Sequence, residues 1–126
     1  MDSERLILVA DDEAHIRLLI EQSLEDLADE GVEIVTVADG QAALDTIRER
    51  HPRLVVLDVM MPKMNGFDVC QAIKKDPALN DVYVIILTAK GQEFDRQHGE
   101  QVGANLYMTK PFDPDELLAR AREVVD

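Results

Sequence analysis

The chain is 126 residues long and 46% hydrophobic, enough for one domain with a buried core and too apolar for a disordered segment. A formal net charge of −13 argues against a surface that grips a nucleic-acid backbone, which needs clustered Lys and Arg. The single cysteine, Cys70, excludes an internal disulfide and points to a reducing, cytoplasmic compartment; no apolar run is long enough to span a bilayer, and the acidic start Met1-Asp2-Ser3-Glu4 carries no signal-peptide pattern.

In chain order, Leu6–Ala10 reads as strand one, with Asp11-Asp12-Glu13 directly after it. Ile16, Leu19, Ile20, Leu24 and Leu27 recur at helical spacing and predict helix one over Glu13–Asp29, stopped at Gly31. Val32–Val37 is strand two. Asp39-Gly40 turns into helix two, carried by Ala43, Leu44 and Ile47 and ended by His51-Pro52. Leu54–Leu57 is strand three, an unbroken β-branched-rich run of the kind buried on both faces. Asp58 follows at once, and Pro62 and Asn65-Gly66 keep the strand from extending. Helix three begins near Gly66, faces inward through Val69, Cys70 and Ile73, and breaks at Asp76-Pro77.

Val82–Leu87 is the most hydrophobic strand, followed by a predicted loop Thr88-Ala89-Lys90-Gly91. Gln92–Val102 predicts a fourth helix whose only large apolar residues are Phe94 and Val102, so it is expected to be the most loosely held. Asn105–Met108 is a short fifth strand, then a loop Thr109-Lys110-Pro111-Phe112. Asp113-Pro114-Asp115-Glu116 is a helix start, with Asp113 as cap, Pro114 in the first turn and Glu116 placed for a capping box. Leu117, Leu118, Ala121, Val124 and Val125 mark the inner face of the last helix.

Consecutive βα units mean a parallel sheet with helices on both faces, here a single α/β domain over residues 1–126. The ends of strands one, three, four and five open on one rim, where open α/β sheets bind ligands. Asp11, Asp12, Asp58, Thr88 and Lys110 are therefore candidates to meet. Converging carboxylates repel unless their pKa values rise or a cation sits among them. Oxygen ligands with no Cys or His suit a hard divalent ion such as Mg2+ rather than zinc. An ammonium and a hydroxyl beside them complete a site for a phosphoryl group, and a carboxylate can itself be the nucleophile. Each residue alone has an ordinary structural reading: Asp11-Asp12 as acids favouring a helix start, Thr88 as a strand end, Lys110 as solvated, Tyr107 and Cys70 as packing. His15, His51 and His98 are scattered and form no motif.

Taken together these residues resemble the receiver domain of bacterial two-component response regulators, of the chemotaxis-type, single-domain kind. The resemblance covers essentially the whole chain. It rests on Asp11-Asp12, Asp58, the loop Met61-Pro62-Lys63-Met64-Asn65-Gly66, Thr88-Ala89 and Lys110-Pro111-Phe112. It implies a flavodoxin-like doubly wound five-stranded sheet of order 2-1-3-4-5 with five helices. It implies Asp58 as phosphoacceptor, taking the phosphoryl group from a histidine kinase or a histidine phosphotransfer protein. Mg2+ would be bound by Asp12, Asp58 and the backbone carbonyl of Met60, with Asp11 acting largely through water. Thr88 and Lys110 would hold the phosphoryl oxygens, Lys110-Pro111 would be cis, and Tyr107 would be an aromatic switch coupled to Thr88. The output surface would comprise the fourth helix, strand five and the last helix, addressed to a downstream protein target or output domain, with pairing of two copies on phosphorylation. The protein would be a signalling switch that assists its own Mg2+-dependent phosphorylation and dephosphorylation, not an enzyme.

Asn65 stands where this family often has Asp, and Met60 is bulky and apolar beside the site. Met60 and Lys90 are expected to tune the lifetime of the phosphoaspartate, because side chains there border the path of an attacking water. A flavodoxin-like cofactor binder would want a Gly/Ser/Thr-rich phosphate loop where Asp11-Asp12-Glu13 stands. An aspartate-nucleophile phosphatase of the haloacid dehalogenase type would want a second Asp at Met60. A phosphorylation-independent receiver-like interaction module usually loses an acidic or Lys position, and none is lost here. With nothing after the last helix, the chain reads as a stand-alone regulator, a phosphorelay shuttle or a piece of a longer regulator.

Overall fold

A computed structural model describes residues 5–89 and 103–126 of the chain. The elements are β1 (Leu6–Ala10), α1 (Ala14–Ser23), α2 (Glu25–Asp29), β2 (Glu33–Val37), α3 (Gly40–Arg50), β3 (Leu54–Asp58), α4 (Gly66–Lys75), β4 (Tyr83–Ala89), β5 (Leu106–Lys110) and α5 (Pro114–Val125). All strand pairs are parallel and the order is β2-β1-β3-β4-β5, as the resemblance implies. The helix expected over 92–102 lies outside the described residues, as does Lys90.

The strands alternate strictly between two core layers, because successive side chains leave a strand on opposite faces. Leu8, Ala10, Val55, Leu57, Val84 and Ile86 pack with Leu44 and Ile47 of α3 and with Val69 and Ile73 of α4. Ile7, Val9, Leu54, Val56, Ile85 and Leu87 pack with Ile20 of α1, Leu27 of α2 and Leu117 and Ala121 of α5. Every residue of β1 and β3 is buried, so these two strands are the rigid centre from which the rim residues are held.

Three differences from the sequence reading go beyond a single residue at the end of an element. Helix one is split at Leu24, whose N–H is shared between the carbonyls of Ile20 and Glu21 at 3.1 Å each, a local tightening between α1 and α2. Thr88 and Lys110 were expected in loops. Both lie inside strands, because the β4–β5 ladder continues through the pairs Thr88↔Thr109 and Ala89↔Lys110. Side-chain polarity misled the boundary there; the neighbouring strand supplies the backbone partners. The α5 start is as read at the cap, where Asp113 accepts from the Asp115 N–H at 2.9 Å.

Candidate functional site

The rim is built at the carboxyl ends of β1, β3, β4 and β5. Asp11 follows β1 directly, and its N–H closes the ladder on the Val37 carbonyl at 3.2 Å. β3 ends in Asp58, in register with Leu87 of β4. β5 ends in Lys110, followed by a cis peptide bond to Pro111, as the resemblance implies. Asp11, Asp58 and Thr88 are buried, the polar exceptions in an otherwise apolar interior among the described residues. Buried polar groups need partners, and the two carboxylates share Lys110.

Lys110 is the hub. Its Nζ lies 2.9 Å from Asp58 Oδ1 and 3.3 Å from Asp11 Oδ2. Asp11 Oδ1 accepts from the Glu13 N–H at 2.9 Å, so both oxygens of that buried carboxylate are engaged. Asp12 and Glu13 are exposed and face the same spot. Asp11, Asp12, Glu13 and Asp58 each offer a carboxylate oxygen, all within 4.8 Å of one another. Glu13 is an addition to the residues expected from sequence. Its place at the helix boundary made a capping role the obvious reading, yet its side chain makes no cap bond.

One ammonium cannot satisfy this much negative charge. Burial pushes the Asp58 carboxyl above the ordinary carboxylate range; the Lys110 hydrogen bond pulls it down, and the Asp11 and Asp12 charges push it up again, leaving it raised. Lys110 is also raised: burial alone would lower it, but the bond to Asp58 and the charges of Asp58 and Asp11 outweigh that. Asp58 is thus raised chiefly by its burial, and Lys110 by the two carboxylates it faces. All-oxygen donors, converging and under-neutralised, fit a hard divalent cation of the Mg2+ type.

The loop after β3 is pinned. A Cβ on Gly66 would collide with the Asp58 carbonyl, so only glycine lets α4 begin this close to the end of β3. The Gly66 N–H donates to the Val59 carbonyl at 2.9 Å. Asn65 caps α4 by accepting from the Asp68 N–H at 2.9 Å, a task Asn performs as well as Asp. Met60 stands on the rim 75% exposed. Tyr107 pairs in register with Ile86 and is half-buried against the α3/α4 core layer, with its phenol oxygen buried.

The residues set aside in the sequence stay aside. Burial pushes the Cys70 thiol up to about 11, so it is protonated packing. His51 pairs with Asp81 at 2.8 Å at the opposite end of the sheet, and His15 lies 3.5 Å from Glu13 on an exposed surface. His98 lies outside the described residues. One residue escaped sequence reading altogether: Arg17, whose Nη1 donates to the Asp11 carbonyl at 2.7 Å.

The family model "Response regulator receiver domain" matches residues 7–122. The chain is 46% identical over 123 residues to the "Probable transcriptional regulator ycf27" of Cyanophora paradoxa, covering 98% of this chain and 49% of that protein. It is 40% identical over 119 residues to the "Alkaline phosphatase synthesis transcriptional regulatory protein PhoP" of Bacillus subtilis, covering 94% of this chain and 48% of that protein. The chain thus spans about half the length of the curated relatives it matches. Among solved structures, the chemotaxis response regulator CheY4 of Vibrio cholerae superposes with a TM-score of 0.82 at 30% identity, covering 98% of this chain and 99% of that one. The chemotaxis-type, single-domain part of the sequence reading is therefore too narrow, since the similarity extends equally to longer transcriptional regulators.

Proposed function

This chain belongs to the response regulator receiver domain family, a family of phosphoacceptor signalling switches rather than classical enzymes, and we propose that Asp58 is its phosphoacceptor. The observation that carries this is a buried carboxylate at the end of the central strand, 2.9 Å from Lys110 and facing three more carboxylates. An Asp58 oxygen attacks the phosphorus of a phosphohistidine; the P–O bond forms as the P–N bond breaks, and the imidazole leaves with a proton. Lys110 holds the attacking carboxylate in place and meets the charge of the transferring group. Thr88, on the strand beside Asp58, donates to a phosphoryl oxygen in this reading.

Asp11, Asp12, Asp58 and the Met60 backbone carbonyl would hold Mg2+, with Glu13 facing the same spot. When bound, the ion supplies charge neutralisation for a transfer that is mostly positioning and electrostatics. Thr88 and Tyr107 form the switch, and the surface of the helix expected over 92–102, β5 and α5 carries the output. Met60 and Lys90 set the lifetime of the phosphoaspartate; equal hydrolysis rates in wild type, Met60→Ala and Lys90→Ala would remove that assignment.

The donor is a sensor histidine kinase or histidine phosphotransfer protein. The output is a protein target or attached domain that controls transcription, by analogy with the names of the longer relatives. The domain itself, residues 1–126, acts in the cytoplasm, does not grip nucleic acid at a net charge of −13, and pairs with a second copy when phosphorylated. Among the described residues no helix is long and apolar enough to cross a membrane. Incubation with acetyl phosphate and Mg2+ should add one phosphoryl group, visible by intact mass, and Asp58→Asn or chelation should abolish it. Partner binding that ignores both phosphorylation and beryllofluoride would instead favour a phosphorylation-independent interaction module.

A further inference from the structure

The helix that follows the acidic turn starts the wrong way round. Helix starts favour acids and disfavour cations, because the dipole is positive there. α1 has no acid in its first turn and no side-chain cap, while Arg17 sits at its fourth residue. The acids that would cap it, Asp11, Asp12 and Glu13, are turned toward the rim instead. Arg17 folds back over the turn and donates from Nη1 to the carbonyl of Asp11 at 2.7 Å, in a partly buried bond.

That carbonyl lies one step past the end of the ladder. The Asp11 N–H makes the last bond to β2, at the Val37 carbonyl. A backbone carbonyl beyond the ladder and out of water needs a donor from elsewhere. With Arg17 in place all four polar groups of Asp11 are held: N–H by Val37, C=O by Arg17, Oδ1 by the Glu13 N–H and Oδ2 by Lys110. The turn that aims Asp11, Asp12 and Glu13 at Asp58 is thereby fixed from behind, and the guanidinium places a permanent positive charge under a cluster of like charges.

We propose that Arg17 is a positioning residue of the acidic site: by fixing the Asp11 carbonyl it sets the β1–α1 turn in the geometry that binds Mg2+. This rests on the Mg2+ reading above and goes beyond it by naming a residue that is not itself a ligand. Groups behind metal ligands typically change affinity by about 10–100-fold when removed, and an effect of about tenfold is expected here.

The test is calorimetric titration of the whole chain with MgCl2, in wild type, Arg17→Lys, Arg17→Met and Arg17→Ala. Arg17→Lys keeps a charged donor and should stay within about threefold of wild type. Arg17→Met keeps the packing of the stem without charge or donor, and should weaken Mg2+ as Arg17→Ala does. The Mg2+ concentration giving half-maximal phosphorylation by acetyl phosphate should rise in parallel, while the rate at saturating Mg2+ changes little. A purely structural role would lower Tm and leave the Mg2+ dissociation constant unmoved, which overturns the proposal, as does an Arg17→Met protein that binds like wild type. If Arg17→Ala does not fold, the Lys and Met variants decide alone. If wild type binds no Mg2+ at millimolar concentration, the metal reading has failed and this inference falls with it; if wild type binds and the variants bind equally, only Arg17 has been misassigned.

Discussion

Among the described residues each end of the sheet holds one half-buried lysine, and the two have opposite surroundings. At the carboxyl end, Lys110 lies between Asp58 and Asp11, and its affinity for a proton is raised. At the amino end, Lys74 of α4 reaches the carbonyls of Val82 at 2.7 Å and Asn80 at 3.2 Å just before β4. Among the described residues its bonds are to carbonyls; burial lowers its proton affinity, and the weaker attraction of Cys70 and Asp81 does not restore it. The same side chain at the same depth is thus charged for different reasons. Lys74 closes a turn by donating to neutral acceptors. Lys110 compensates the charge of two carboxylates that the fold brings together, which is the arrangement behind its proposed role at the site.

Removing Lys110 should therefore have the largest effect. Lys110→Met takes from fully buried Asp11 and buried Asp58 the ammonium they share. Phosphorylation by acetyl phosphate should slow by about a hundredfold, the scale for loss of a preorganised donor. The Mg2+-free protein should also lose about 1–3 kcal/mol by urea unfolding, because unpaired buried groups are left behind. Added Mg2+ should recover part of the stability and little of the rate. A Lys110→Met protein that phosphorylates normally would erase the contrast between the two ends.

Two glycines sharpen the same comparison. Gly66 backs onto the Asp58 carbonyl, and Gly66→Ala would force backbone against backbone, at a cost of about 1–3 kcal/mol with Asp58, the proposed phosphoacceptor, displaced as well. Gly103 has φ +89 and lies against the stem of Lys74, so Gly103→Ala should cost about 1 kcal/mol from the left-handed backbone alone. Denaturation midpoints should fall in both variants, but phosphorylation should fall only in Gly66→Ala.

Most of this was legible in the sequence, and the gaps have a physical cause. Five hydrophobic runs placed the strands, and topology then carried Asp11, Asp12, Asp58, Thr88 and Lys110 to one rim. Strand ends were set too early, because Thr88 and Lys110 look like loop residues until the β4–β5 ladder pairs them. Glu13 and Arg17 were missed because their roles depend on the direction of a turn, which no periodicity encodes. The signal available was electrostatic: a helix start with its acids just outside and a cation inside it. Lys74 gave no sequence signal, since a lysine ending a helix is ordinary.

The acid limb of the stability curve tests the excess negative charge of the rim. Asp58 is raised by burial, so the native state holds that proton more tightly than the unfolded chain does. Stability then falls as pH rises from the ordinary carboxylate range, about 4, through the folded value. In Mg2+-free buffer, Asp58→Asn should remove this fall, leaving the variant at least as stable as wild type at pH 7. In saturating Mg2+ the order should reverse, because the cation then favours the ionised carboxylate. Urea midpoints at several pH values, with and without Mg2+, give both comparisons. A wild type more stable than Asp58→Asn in the absence of metal would mean that Lys110 alone neutralises the rim.

The smallest effect is expected at the other end. Lys74→Met removes two hydrogen bonds to carbonyls but also a desolvated charge. The lost bonds are worth about 1 kcal/mol each and relief of the burial penalty opposes them, so the net change should stay within about 1 kcal/mol. Its pH dependence carries a definite sign. A lysine lowered by burial destabilises the fold while both states are charged. That penalty disappears as pH rises from the folded value to the unfolded one, about 10.4. Wild type should therefore gain on Lys74→Met through the alkaline limb. Lys110, raised instead, is expected to lose its contribution as pH climbs past its folded value. Unfolding midpoints of wild type and the two Met variants from pH 8 upward would show curves that diverge in opposite directions. Parallel curves would mean that the two lysines differ in neighbours but not in what those neighbours do to their charge.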